Sequence, residues 1–181
     1  MMSNQESLFK ELEKANKNIK KVIYSASTSI EKSVDELSKM GAEHVRELIS
    51  KPGTGKEYKY SYGKHRASAP GDPPAGQTGR PLHRSIFSEV TEKRKDGDKG
   101  RAVAIFGSRL MYAKYLEYGW RRGASVGEPR PFMRPTADVI AQRTPGVVAR
   151  NWIKARNAAI AKLPKNSNVG SNRVDYVGKM R

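Results

Sequence analysis

The residues with the widest chemical reach in this sequence are its three histidines, and their spacing gives them little to do. His44, His65 and His83 are scattered, no two pair at the short spacing that holds zinc, and no carboxylate cluster accompanies them. There is no cysteine, which excludes disulfides, thiolate metal sites and a cysteine nucleophile. Thr54-Gly55-Lys56 echoes a phosphate loop, but the upstream glycine and the preceding strand are missing, and a helical pattern leads into it. Asp96 and Asp98 flank Gly97 in a charged stretch and read as solvated turn residues. These positions predict no catalytic residue, no metal and no cofactor, and the chain reads as a protein that is not an enzyme.

Charge is the strongest chemical signal left. Thirty-five Lys and Arg against eighteen Asp and Glu give +17 over 181 residues. Residues 1–51 are nearly balanced at +1, residues 52–150 carry +10, and residues 151–181 carry +6. A localised positive field favours an anionic partner, whether nucleic acid, an acidic protein surface or anionic lipid. Lipid fits least. No apolar run approaches the ~20 residues of a membrane span, and the N-terminus lacks the basic-then-apolar order of a signal peptide. The long helix described below lacks a basic face set opposite bulky aromatics. Mean hydropathy is −0.74, so any core is modest.

Aromatic residues interleave with part of that charge. Lys56-Glu57-Tyr58-Lys59-Tyr60-Ser61-Tyr62 sets three tyrosines at period two, which is strand spacing. The plain reading is a half-buried strand with one tyrosine face. The functional reading is base stacking beside phosphate contacts from Lys56, Lys59, Lys64 and Arg66. Arg121 and Arg122, in the Gly- and Arg-rich loop over 119–130, complete the DNA-facing candidates.

Several elements must position these residues. Residues 1–51 predict one long helix, or two collinear ones. Ser3 and Glu6 form a capping-box pattern at its start. Leu8, Leu12, Ala15, Ile19, Val22 and Ala26 then alternate steps of four and three. The stripe continues through Ile30, Val34, Leu37, Met40, Val45 and Leu48 with longer steps that resemble a stutter. Gly41 is a point where it could bend, and Pro52-Gly53 ends it. At ~1.5 Å per residue it spans roughly 70 Å. That is too long for a helix folded only onto its own small domain, so half of it is expected on neighbouring subunits.

Residues 52–145 read as an α+β core with a Pro-rich arm over 68–81. Leu82 to Thr91 and Arg101 to Phe106 read as strands joined by the charged turn at Asp96-Gly97-Asp98, most simply as an antiparallel hairpin. Leu110 to Tyr118 reads as a short helix capped by Gly119. A further helix is expected from about Pro135 to Gln142. A separate one opens at Pro145 and runs to Leu163, filling the segment 146–163. Residues 164–181 form a polar basic tail. The predicted class is α+β: a long N-terminal helix packed on a small antiparallel sheet, with shorter C-terminal helices and an extended Pro/Gly-rich arm.

Four blocks carry a resemblance. They are Ser68-Ala69-Pro70-Gly71-Asp72-Pro73-Pro74; Thr78-Gly79-Arg80 with Ser85-Ile86; Tyr112-Ala113-Lys114-Tyr115-Leu116-Glu117-Tyr118-Gly119; and Arg130-Pro131-Phe132-Met133-Arg134-Pro135. In this order the chain resembles the tail-component or neck protein family of tailed bacteriophages, also called head–tail joining or tail-completion proteins. The resemblance covers residues 60–140. Trp120 stands where that family usually has threonine or serine, and the chain beyond residue 146 is longer than the pattern.

The resemblance implies a structural virion protein made in the host cytoplasm. It implies assembly as a ring around the DNA channel at the junction of head and tail, with six copies favoured and twelve the alternative. Its partners would be neighbouring neck and tail proteins, with non-specific contact to the genomic DNA and none to membrane. Pro70, Gly71, Pro73, Pro74, Tyr115, Glu117, Arg130, Pro131, Phe132 and Arg134 are then the subunit or partner interface candidates. Phe132 reads either as a core plug or as an anchor in a neighbour's pocket, and Glu117 as an ion-pair partner for Arg121 or Arg130. The competing class is a basic DNA-binding architectural or packaging protein. A tail-tube or sheath-associated protein is a third reading, with different neighbours.

Overall fold

The structure is a computed structural model that describes residues 4–61, 63–96 and 99–163. It has the predicted α+β composition, with a long N-terminal helix against antiparallel strands. Helix α1 runs unbroken over Asn4–Ser50. The expected cap at Ser3 lies outside the described residues. The helix continues through Gly41 without a break. A Cβ there would lie 2.6 Å from the Phe106 ring, so the missing side chain lets an aromatic close directly on the helix backbone.

The strands form three separate two-stranded hairpins instead of one sheet. Strands β1 (Glu57–Tyr60) and β2 (Gly63–Arg66) make the first. A helical turn α2 (Pro81–Ser85) follows, where a strand was expected from Leu82. Pro81 opens it because proline is pre-set for a first helical turn. Strands β3 (Ile86–Asp96) and β4 (Lys99–Ser108) form the predicted hairpin, with a register shift between Val90 and Glu92. Gly97 and Asp98 of its expected turn lie outside the described residues. Helix α3 (Ala113–Tyr118) ends at Gly119, whose φ of 75° suits glycine alone. Strands β5 (Trp120–Arg122) and β6 (Ser125–Gly127) form a third hairpin, inside what reads as a loop in the sequence.

Helix α4 runs over Met133–Ala161 as one element, with Pro145 inside it. The expected break at Pro145 does not occur. Proline denies the carbonyl four residues back its bond and costs a helix about 3 kcal/mol. Packing along α1 offsets that cost. His44 Nδ1 lies 3.0 Å from Thr136 Oγ1. Further along, Asn151 Nδ2 donates to Ser33 Oγ at 3.2 Å and to Glu36 Oε2 at 2.9 Å. Arg150 pairs with the other oxygen of Glu36. Residue numbers rise on α4 as they fall on α1, so the two helices are antiparallel.

The buried face of α1 along this stretch is small and polar. Ser29 and Ser33 are buried, and their hydroxyls donate to the carbonyls of Ala26 and Ser29. Each serine therefore satisfies itself on its own helix and adds little bulk. The apolar core sits at the C-terminal third of α1. Ala42, Val45 and Ile49 meet Leu82, Ile86, Ala113 and Phe132, with Phe106, Leu110, Leu116 and Met133 around them.

Candidate assembly surfaces

Glu117 is the most constrained polar residue of the fold. Helix α3 carries it beneath the start of α4, where it is 7% exposed. Its Oε2 accepts the backbone N–H groups of Phe132 and Met133 at 2.8 and 2.9 Å, and its Oε1 accepts that of Arg134 at 2.9 Å. A helix start leaves its first N–H groups without partners and gathers positive potential there. A buried carboxylate from elsewhere in the chain answers both needs. Arg130 adds a backbone bond of 2.6 Å from its N–H to the Leu116 carbonyl. The expected ion pair of Glu117 with Arg121 or Arg130 is therefore replaced by a helix cap. The Tyr112–Gly119 and Arg130–Pro135 blocks are two halves of one device.

This placement corrects part of the interface expectation. Phe132 is fully buried in the core, as the plug and not as an anchor for a neighbour. Glu117 likewise has no surface to offer a partner. Pro131 is half-buried, Arg134 and Tyr115 are exposed, and the Arg130 Nε is buried without a hydrogen-bond partner.

The Pro-rich arm is also tied down. Gly76 and Gln77 donate to the carbonyls of Lys51 and Ile49 at 2.9 Å each, closing the C-terminal end of α1. Gly71 donates to the Pro129 carbonyl at 3.0 Å. Thr54 bonds Asp72. Of the interface candidates in the arm, Pro74 is buried, Pro73 half-buried, and Pro70 and Gly71 exposed. An arm expected to reach a neighbour instead braces its own chain, because its backbone groups find partners at the end of α1.

The DNA-facing candidates fall into two places. Lys56, Lys59, Lys64 and Arg66 are all exposed on or beside the β1–β2 hairpin. Tyr58 and Tyr60 are exposed too, so the expected half-buried tyrosine strand is a solvent-facing one. Lys59 pairs directly opposite Lys64, a repulsive cross-strand arrangement that an anion would relieve. Glu57 lies 3.9 Å from both Lys64 and Arg66 and neutralises part of the cluster.

Arg121 and Arg122 stand elsewhere, on β5. With Tyr112, Tyr115, Leu116 and Trp120 they line an open cavity of about 540 Å³. Gly127 holds the floor of this arrangement, since a Cβ there would fall 2.0 Å from the Trp120 indole nitrogen. The sequence reading missed Trp120 and Tyr112 as surface features. Gly123 in the sequence hinted only at the hairpin itself, its positive φ of 59° turning the chain in two residues.

A further surface runs along α1. Leu12, Ile19, Ile23 and Ile30 follow steps of seven, four and seven, which keeps them in one stripe. They are 58%, 50%, 38% and 38% exposed. Seven residues on, Leu37 is 9% exposed, and beyond it Ala42, Val45 and Ile49 are in the core. Phe9, near the start of the helix, is 69% exposed.

Among the described residues, no group of three or more His, Asp or Glu is placed to hold a metal ion. None of the helices described is long and apolar enough to cross a membrane. No family model, curated protein or solved structure matches the chain.

Proposed function

We propose that this chain is a structural protein of a tailed-phage virion, a ring-forming neck or tail-completion component that joins head and tail around the DNA channel. The observation that carries this reading is the burial gradient along α1. One helix starts as exposed apolar surface and ends as core, which is the form of a subunit built to be covered by others. The four sequence blocks support it as well. Two of them meet in the Glu117 cap, a physical reason for them to travel together. No catalytic role is assigned, and the basic hairpins supply spread, phosphate-directed contacts without base reading.

The test is electron microscopy of lysates from phage in which this gene is disabled. Full heads beside separate, unjoined tails are the expected result. Joined virions, or heads empty of DNA, would sink the joining role. The opposed Lys59 and Lys64 favour a second reading, a dedicated DNA-binding protein. That protein would bind duplex tightly with a steep salt slope, whereas a neck subunit in isolation binds weakly.

A further inference from the structure

The end of the fold around α3 gathers rings and cations with almost no negative charge. On one side of α3, Tyr112, Tyr115 and Trp120 line the cavity of about 540 Å³ together with Arg121 and Arg122. On the other side, Arg109, Lys114 and Arg134 line a second cavity of about 850 Å³. Lys114 joins the two, its Nζ lying 5.0 Å from the Tyr115 ring centroid. All five cations are exposed, and among the described residues none of them is ion-paired. The one carboxylate that lines either cavity is Glu117, and both of its oxygens are taken by the α4 cap.

The rings are held ready. Trp120 stands opposite Gly127 in the β5–β6 ladder, and its indole lies so close to that residue that no Cβ would fit between them. The rest of its surface is open, and Trp120, Tyr112 and Tyr115 are each close to half exposed. A ring fixed in place loses little freedom when a ligand stacks on it. Both cavities have the volume of ligand-sized sites. Aromatic planes beside unpaired cations suit a ligand that carries flat rings and negative charge together, which is the make-up of a nucleic-acid strand. A duplex offers the cations its phosphates, but its bases are stacked on one another and closed to a protein ring. An unpaired strand offers both. The β1–β2 hairpin is different, because Glu57 lies 3.9 Å from both Lys64 and Arg66 and offsets their charge.

We infer that the α3–β5 surface is a binding site for unpaired DNA, with bases stacked on Trp120 and Tyr115 and the adjoining phosphates on Arg121, Arg122 and Lys114. This goes beyond the phosphate-directed contacts of the proposed function, which need no free base. Only the choice of DNA as the strand rests on that reading.

The test uses the full-length chain carrying Trp152→Phe, which leaves Trp120 as its one tryptophan. A fluorescein-labelled oligothymidylate of about a dozen nucleotides and a duplex of the same length are titrated separately. The oligothymidylate should quench Trp120 emission and bind at least about tenfold tighter than the duplex. Trp120→Ala with Tyr115→Ala should weaken single-strand binding at least about tenfold, as the loss of two stacking rings does, while the salt slope is unchanged. Trp120→Phe keeps a ring and should retain most of the affinity by anisotropy of the labelled strand, which separates lost stacking from lost folding. Arg121→Gln with Arg122→Gln should lower the salt slope by about 0.7 for each phosphate contact removed. Lys59→Ala with Lys64→Ala, on the β1–β2 hairpin, should leave the preference for the single strand in place.

Equal or tighter binding of the duplex overturns the site. So does unchanged Trp120 emission at saturation, full affinity without Trp120 and Tyr115, or a single-strand preference that disappears with Lys59 and Lys64. Trp120 emission that follows protein concentration and ignores the oligonucleotide also overturns it, and makes the cavity a contact between copies. If the ring-dependent preference holds but phage lacking the gene still make joined virions, the site stands and the neck role falls. If no preference appears but joining is lost, the site falls and the neck role stands.

Discussion

The two halves of α1 follow the same helical spacing and meet different fates. At the C-terminal end of the helix Ala42, Val45 and Ile49 disappear under α2, β3, β4 and Phe132. Between Phe9 and Ile30, the large apolar residues Phe9, Leu12, Ile19, Ile23 and Ile30 face solvent, with Ala15, Val22 and Ala26 half-buried. Periodicity marks a face that needs cover, and it says nothing of which chain supplies the cover. The polar face between them makes the same point from the other side. Ser29 and Ser33 are more buried than Ile19 or Ile23, because α4 packs on the serine side of the helix. A hydroxyl bonded to its own helix carbonyl is cheap to bury, so a polar residue type does not mark an exposed position.

The sharpest way to test this contrast is to remove a side chain from the covered region. Phe132→Ala is expected to cost about 3–5 kcal/mol, the usual range for emptying a fully buried aromatic site. For a chain of this length that lowers the melting temperature by on the order of 10 °C. Calorimetry checks it, and a change of only a degree or two would mean that the plug is not the centre of the core. Glu117 comes next. Glu117→Ala strands three backbone donors at the start of α4. It should cost about 3 kcal/mol, given that each buried unsatisfied group costs about 1–3 kcal/mol where water cannot enter. Glu117→Gln keeps the shape and one carbonyl oxygen but loses the charge, and should recover roughly half of that. Urea titration separates the two. Equal losses would show that charge at the helix start, not the count of acceptors, is what Glu117 supplies.

Much of the fold is legible in the residues, and the illegible parts share one cause. The length of α1, its stop before Pro52, the β3–β4 pairing and the Gly119 cap all follow from local rules that neighbours do not override. Pro145 is read as a helix start because proline's local preference says so, and the tertiary contacts of α4 with α1 outweigh it. The Pro-rich arm reads as free because nothing in its own residues shows that the carbonyls of Ile49 and Lys51 await its N–H groups. Glu117 reads as a surface ion pair because its true partners are backbone groups 15 to 17 residues away. Trp120 is a different case. Its cavity is assembled from α3 and β5, and only their folding together turns scattered rings and arginines into one surface.

The smallest expected effect is the most discriminating for the exposed region. Ile and Ser have similar helix propensities, so Ile19→Ser with Ile23→Ser changes burial and little else. On the isolated chain the double substitution should shift stability by less than about 0.5 kcal/mol, as surface changes do. The same chemistry in the covered region, Val45→Ser, would expose the cost of a polar group in a fully buried site, about 2 kcal/mol or more. If the exposed stripe exists to be covered by another copy, the double variant is as stable as the parent when dilute. It then loses the extra stability that association lends the parent as concentration rises. Melting curves taken over a hundredfold range of protein concentration read both quantities at once. A concentration-independent loss of several kcal/mol would mean instead that the stripe is already buried within the single chain, and the contrast between the two halves of α1 would collapse.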